Sequence, residues 1–288
     1  MAVFDVIVCG SLHLDVIVKA QALPRIDETA VGSGWEKLCG GKGGNQAVQA
    51  ARAGAHTAML GRVGNDEFGR TLCKNLATAG IDISTISTDP VLGSGMSVAI
   101  LQDNGDYGAV IVSGSNTAID AATLHQSWNA LGGAKVLVLQ NEIPHSVNVA
   151  AVRAARMSGA TVVFNAAPAR DLGNDLLDMV DVLIVNRVEA EAMFGLRVND
   201  RASARDALTA KPGKSSVVVT LGGEGLVVAL ESGEILEIAP IPVQVTSTHG
   251  AGDCFVGVLA AQLALAKSLA DACKFANQQA AEFVSRTG

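Results

Sequence analysis

Aromatic side chains make up only 3% of the 288 residues, and the apolar content, 49% overall, is largely Ala, Val and Leu. Such a composition argues against an aromatic-rich β-sandwich and for helices packed closely on a parallel sheet. Positive charge is also short. The net charge is −7, and no run of Lys or Arg is present to grip a phosphate backbone, so a nucleic-acid partner is not expected. The longest uncharged stretch near the C-terminus, Cys254 to Ala266, is too short to span a bilayer, so no membrane role is expected. The chain opens Met1-Ala2-Val3-Phe4-Asp5, with an acid where a signal peptide carries basic residues, so a cytoplasmic location is expected. The five cysteines are scattered and form no C-x-x-C pair, which fits reduced thiols better than a disulfide framework. The five histidines are equally dispersed, and no His/Cys metal site is visible.

Several catalytic signatures are missing. Gly213-Lys214-Ser215 resembles the end of a phosphate-binding P-loop, but the glycine required five residues earlier is Leu208. No G-x-G-x-x-G opens the first helix, which disfavours a dinucleotide dehydrogenase. No G-x-S-x-G elbow exists, which disfavours an α/β-hydrolase.

What is there is alternation. Apolar runs at Val3–Cys9, Thr57–Gly61, Val136–Gln140, Thr161–Asn165, Val182–Asn186 and Ser216–Leu221 read as strands covered on both faces. Ala-rich stretches between them, such as Asn45–Ala53 and Glu67–Ala79, read as helices, each stopped by a glycine, Gly54 or Gly80. The pattern predicts an α/β fold: a doubly wound, mainly parallel sheet with helices on both faces. Two β-rich excursions, 13–38 and 97–113, interrupt it. The second reads as a hairpin turning at Asp103-Asn104-Gly105-Asp106. They predict a small β-sheet that is either a lid or a plain edge addition. The core is then residues 1–12, 39–96 and 114–288.

Ligands bind at the carboxyl ends of parallel strands. Several strands here end in polar clusters: Gly10-Ser11-Leu12-His13-Leu14-Asp15, Asn141-Glu142, Asn186-Arg187-Val188-Glu189 and Thr220-Leu221-Gly222-Gly223. Each alone is ordinary loop chemistry; together they mark one rim. Gly40-Gly41-Lys42-Gly43-Gly44-Asn45 leads into a helix, and its glycines would let backbone approach a ligand. Thr246-Ser247-Thr248-His249-Gly250-Ala251-Gly252-Asp253 precedes a helix apolar on all sides and therefore buried. Free amides at such a helix start make an anion hole suited to a transferring phosphoryl group. Asp253 beside them either takes a proton from an attacking hydroxyl or merely caps the helix.

With these motifs the chain resembles the ribokinase-like (PfkB) family of carbohydrate kinases. The resemblance runs from Gly10-Ser11 and Asp15 through the 40–48 stretch to Gly250-Ala251-Gly252-Asp253, with Asn165-Ala166-Ala167-Pro168, Asn186-x-x-Glu189 and Thr220-Leu221-Gly222 between. It implies an ATP-dependent kinase acting on a hydroxyl, a primary one, of a small sugar. Asp253 would be the base, with Gly250, Ala251 and Gly252 as the anion hole. His13, Asp15, Gly41, Lys42, Asn45 and Glu142 would hold the sugar. Asn186, Thr220, Gly222, Gly225 and Asn277 would serve ATP, and Glu189 would serve Mg²⁺ through water. In the family the lid closes over the sugar and often pairs subunits, which implies a homodimer.

Two departures stand out. Ribose-phosphorylating members carry Asn where this chain has His13. An Asp that helps form a monovalent-cation site is replaced by Ser247, and the chain stops at Ser285-Arg286-Thr287-Gly288 where relatives continue; both count against activation by K⁺. Two alternatives remain open: a nucleoside kinase of the same fold, and a sugar-binding protein that has lost turnover.

Overall fold

Alternate residues of each central strand face different helices, so both sets must be apolar. In the computed structural model, which describes residues 3–102, 106–209 and 215–286, that demand is met by Val, Ile and Leu. The chain begins with β1 (Phe4–Cys9), β2 (His13–Ala20), β3 (Gly32–Gly40), α1 (Lys42–Arg52), β4 (Thr57–Gly64) and α2 (Glu67–Thr78). Next come β5 (Ile86–Asp89), β6 (Gly95–Gln102), β7 (Tyr107–Val112), α3 (Leu124–Ala130), β8 (Ala134–Gln140) and α4 (His145–Met157). They are followed by β9 (Thr161–Asn165), α5 (Asn174–Leu177), β10 (Val182–Asn186), α6 (Arg187–Phe194), α7 (Arg201–Thr209) and β11 (Ser216–Thr220). The chain ends with β12 (Leu226–Ala229), β13 (Ile235–Ile238), α8 (Ala251–Ala264) and α9 (Leu269–Ser285).

Nine strands form one sheet in the order β13-β12-β11-β10-β9-β8-β1-β4-β5. Its members from β11 to β5 pair in parallel, while β12 and β13 add an antiparallel hairpin at one edge. Three strands that the apolar runs do not reveal, β5, β12 and β13, are four residues long each, too short for a periodic signal. Two hydrophobic clusters lie on the two faces. In β8, Leu137 and Leu139 join the cluster with α4 and Trp128 of α3, whereas Val136 and Val138 join the one with α1, α2, α8 and α9.

The two excursions form a separate four-stranded sheet, ordered β3-β2-β6-β7. It is mixed rather than purely antiparallel: β2 runs parallel to β6, and hairpins flank that pair. Its strands extend to Gly40 and Gly95, two residues beyond the expected limits, because both pair with His13. Of the expected turn, residues 103–105 lie outside the described residues, as does most of Gly213-Lys214-Ser215.

Helix α1 starts at Lys42, not Asn45, with Gly41 at its N-cap in the left-handed region (φ 84°). The glycines there serve protein contacts. A Cβ on Gly43 would lie 2.7 Å from the backbone of Gly10 and Ser11, and one on Gly41 2.7 Å from the amide nitrogen of His13. The glycine-rich stretch thus lets a helix start sit against the β1–β2 connection. Helix α8 starts at Ala251, and ten of its fourteen residues are buried.

Helices α1 and α8 touch through Gly257, where a Cβ would lie 2.4 Å from the Gln46 carbonyl oxygen and 2.8 Å from the Ala50 nitrogen. Gly257→Ala is therefore expected to force the helices apart and cost about 1–3 kcal/mol. A thermal melt should register this as a fall of several degrees. An unchanged melting temperature would show that the helix spacing is not set here.

Candidate active site

The N-termini of α1 and α8 converge at the carboxyl ends of β1 and β8. Asp253, in the first turn of α8, is buried and accepts two hydrogen bonds from α1. Asn45 Nδ2 donates to its Oδ2 at 3.1 Å, and Gln46 Nε2 donates to its Oδ1 at 2.9 Å. Gln46 is itself held by Gln140 at the end of β8, whose Nε2 donates to Gln46 Oε1 at 2.7 Å. Burial pushes the Asp253 carboxyl above the usual carboxylate range. The charge of Lys42 and the two amide donors oppose that rise, while Glu142 adds to it. The residue is thus far more than a cap: its own side chain makes no capping bond to the helix start, where Gly250 takes the N-cap with φ 78°.

At that helix start the Ala251 amide donates to the Thr248 carbonyl at 3.2 Å, and Cys254 begins the intrahelical ladder by donating to Gly250. The first-turn amides of Gly252 and Asp253 are the orphans that every helix leaves. A Cβ on Gly252 would meet nothing within 4 Å, so that residue borders open space. Cys254 next to them is pushed up to about 11 by burial, which makes it a packing group rather than a nucleophile.

Glu142 follows β8 and binds the β1–β2 connection to α1. Its Oε2 accepts from Ser11 Oγ at 2.5 Å and from the Lys42 amide at 2.9 Å. His13 Nδ1 stands 3.9 Å from the same oxygen, and His13 Nε2 is buried without a partner among the described residues. Asp15, two residues along β2, faces the same side of the small sheet and accepts from Ser97 Oγ of β6. His13, Asp15, Gly41, Lys42, Asn45, Glu142 and Asp253 are therefore gathered around one crossing of strand ends and helix starts.

A second group lies at the ends of β10 and β11. Asn186 caps α6 through its Oδ1, and its own amide donates to Glu189 Oε2 at 2.7 Å, a reciprocal capping box. Glu189 is buried more deeply than capping requires. Burial raises its carboxyl, opposed by the Asn186 amide and by the charge of Lys42. Lys42 thus acts on both Asp253 and Glu189 and connects the two groups electrostatically. Thr220 Oγ1 donates to the Val185 carbonyl at 3.3 Å. Gly225 has φ 84° and no room for a Cβ, which would lie 2.2 Å from the Ile238 oxygen; Gly222 (φ 60°) is exposed. Asn277, on α9, donates to the Ala239 carbonyl at 3.0 Å, tying α9 to the connection that leads into the 246–250 turn.

Gln46, Gln140, Ser11 and Ser97 are partners to which the motifs assign no role, although Ser11 and Gln46 lie within them. A signal for Gln46 existed: a polar residue next to Ala47 on the buried face of an Ala-rich helix calls for a partner.

The model of the pfkB family carbohydrate kinases matches residues 3–288. Ribokinase of Haemophilus influenzae is 33% identical over 283 residues, covering 98% of this chain and 92% of that protein. Mouse ribokinase is 35% identical over 289 residues, covering 98% and 90%. The structure of Arabidopsis thaliana ribokinase complexed with ribose and ATP superposes with a TM-score of 0.90 at 27% identity, covering 100% of this chain and 94% of that one.

The two amide donors predict a titration. The Asp253 carboxyl carbon, followed by NMR, should titrate above 3.8, the ordinary value for Asp. Gln46→Leu removes a donor that favours the ionised form, so the midpoint should move further up. Since ionisation inside the fold is disfavoured, this residue's contribution to stability is fully present below the unfolded pKa and is lost as pH rises through the folded one. A midpoint at or below the ordinary value would contradict the burial.

Proposed function

The chain belongs to the pfkB family of carbohydrate kinases, and from that premise we propose that it transfers the γ-phosphoryl group of ATP to a primary hydroxyl of a small, pentose-like sugar, with Asp253 as general base. One observation carries the reading: a buried carboxylate held by Asn45 and Gln46 lies beside the open first-turn amides of α8. A base with a raised pKa accepts a proton readily once a hydroxyl is delivered to it. The hydroxyl oxygen attacks the γ-phosphorus, its proton passes to Asp253, and the bond to the β–γ bridging oxygen breaks to release ADP. The amides of Gly252 and Asp253 face the charge that develops on the phosphoryl oxygens.

The sugar is held by Asp15 and Glu142 as acceptors and by Lys42 and Asn45 as donors, with His13 shaping the end of the pocket. Glu142 has one oxygen engaged by Ser11 and the Lys42 amide, so its part is as much to orient Lys42 as to touch the sugar. ATP lies along the ends of β10 and β11, over Asn186, Thr220, Gly222 and Gly225, with Asn277 towards its base. No group of three or more His, Cys, Asp or Glu side chains among the described residues could cage a metal ion. Mg²⁺ keeps its waters and takes nucleotide oxygens, and Glu189 would be the nearby buried carboxylate. Bound there, the ion would neutralise phosphate charge. Ser247 accepts from the His249 amide within its own turn at 3.3 Å and brings no charge, which counts against a K⁺ site there. No helix among the described residues is long and apolar enough to cross a membrane.

An acceptor screen tests this. ADP release should appear with at least one pentose and fall by about 10²–10⁴-fold in Asp253→Asn, with sugar binding retained. His13→Asn should raise kcat/KM for ribose relative to other acceptors, because the amide is smaller and supplies two donors beside its acceptor where neutral imidazole has one. Preference for nucleosides would favour a nucleoside kinase of the same fold. Binding of sugar and ATP without ADP release from any acceptor would leave a binding protein.

The small sheet supports a homodimer. By register, Trp35, Val98, Val110 and Val112 share the face opposite Asp15, and Trp35, Val110 and Val112 are 67%, 69% and 52% exposed. An apolar sheet face of this kind marks an interaction surface. Sedimentation should give a dimer at micromolar concentration that dissociates in Val110→Asp. A monomeric wild type would end this part of the reading.

A further inference from the structure

Three of the four connections between the small sheet and the core, those before β2, before β6 and after β7, meet at one buried polar node. Asn116, fully buried in the turn after β7, is its centre. Its Oδ1 accepts from the Leu12 amide at 2.9 Å, and its Nδ2 donates to the Leu12 carbonyl and to the Ser113 carbonyl, both at 2.9 Å. One side chain therefore grips both polar groups of Leu12, immediately before β2, and joins them to the end of β7. The start of β6 is fitted to the same node: a Cβ on Gly95 would lie 2.2 Å from Asn116 Nδ2 and 2.4 Å from His13 Cδ2. Ser115 and Ser94 complete it. The Ser115 amide donates to the Gly93 carbonyl at 2.8 Å and its Oγ to the Arg62 carbonyl at 3.1 Å, while Ser94 Oγ bonds Asp66 and accepts from the Gly64 amide.

The other side of the same segment is held by α1. The Gly44 amide donates to the Ser11 carbonyl at 3.0 Å, and Ser11 Oγ reaches Glu142. Residues 11–13 are thus clamped between the helix that carries Lys42, Asn45 and Gln46 and the side chain of Asn116. His13 and Asp15 are the first and third residues of the strand that leaves this clamp. The nucleotide-side residues stand on β10 and β11, separated from β1 in the sheet by β8 and β9.

We propose that Asn116 is a positioning residue for the acceptor: by fixing the Leu12 peptide it sets where β2 presents His13 and Asp15 to the sugar, without acting on the nucleotide. This rests on the reading above that the 13–15 end holds the acceptor. It needs no contact between Asn116 and any substrate. Asparagine suits the task because it supplies an acceptor for the Leu12 amide and two donors for two carbonyls at once. Aspartate would keep the acceptor but set an oxygen against both carbonyls.

Asn116→Ala and Asn116→Asp test the proposal by two measurements. Hydrogen exchange needs no substrate: amides of residues 11–15 should exchange about tenfold faster or more in both variants, with β10 and β11 unchanged. In steady-state kinetics with ribose, or with the sugar that turns over fastest, KM for the sugar should rise about tenfold while KM for ATP stays within about twofold. Unaltered exchange at 11–15 overturns the proposal, and so does an equal rise in both KM values. If the wild type phosphorylates no sugar at all, the functional reading fails by itself, and the exchange measurement still decides whether Asn116 holds β2.

Discussion

A carboxylate kept from water by two amide side chains of a neighbouring helix is the constraint around which this molecule is arranged. Asp253 can be buried only because Asn45 and Gln46 reach it, and they reach it only because α1 and α8 approach to glycine distance at Gly257. Burying an unpaired charge is costly, and two donors offset that cost without neutralising the group. Gln140 then fixes Gln46, so the end of β8 belongs to the same network. Basicity at one oxygen pair is thus a property of two helices and a strand.

The same economy of backbone approach explains the glycines before α1. Gly41 and Gly43 have no space for a Cβ because the β1–β2 connection lies against them. A helix start pressed against the first strand end directs Lys42 and Asn45 over the sheet, where the charge of Lys42 acts on both Asp253 and Glu189. Two buried carboxylates at different strand ends are thus brought under the influence of one cation, an arrangement that suits the phosphoryl transfer proposed above.

In the proposed reading, substrate preference belongs to a different part, the strand that crosses into the small sheet. His13 and Asp15 belong to β2, and their neighbours Gly95, Ser97 and Asn116 come from segments about a hundred residues away. The outer face of the same small sheet exposes apolar side chains, Trp35, Val110 and Val112 among them.

Much of this was legible beforehand, for local reasons. Apolar runs covered on both faces, glycines ending α1 and α2, and polar clusters at strand ends follow from periodicity and turn chemistry, so the α/β sheet, the small sheet and the rim of candidate residues could be read directly. Motif order pointed to the family and to Asp253. What depended on tertiary structure was every relation between distant segments: Asn45 and Gln46 meeting Asp253 more than two hundred residues away, Glu142 clasping Ser11 and the Lys42 amide, and Asn116 gripping Leu12. The close contact of the glycine-rich stretch before α1 with the β1–β2 connection is another such relation. Local sequence governs which dihedrals and faces a segment prefers, whereas a hydrogen bond across the fold exists only once packing has set the distance.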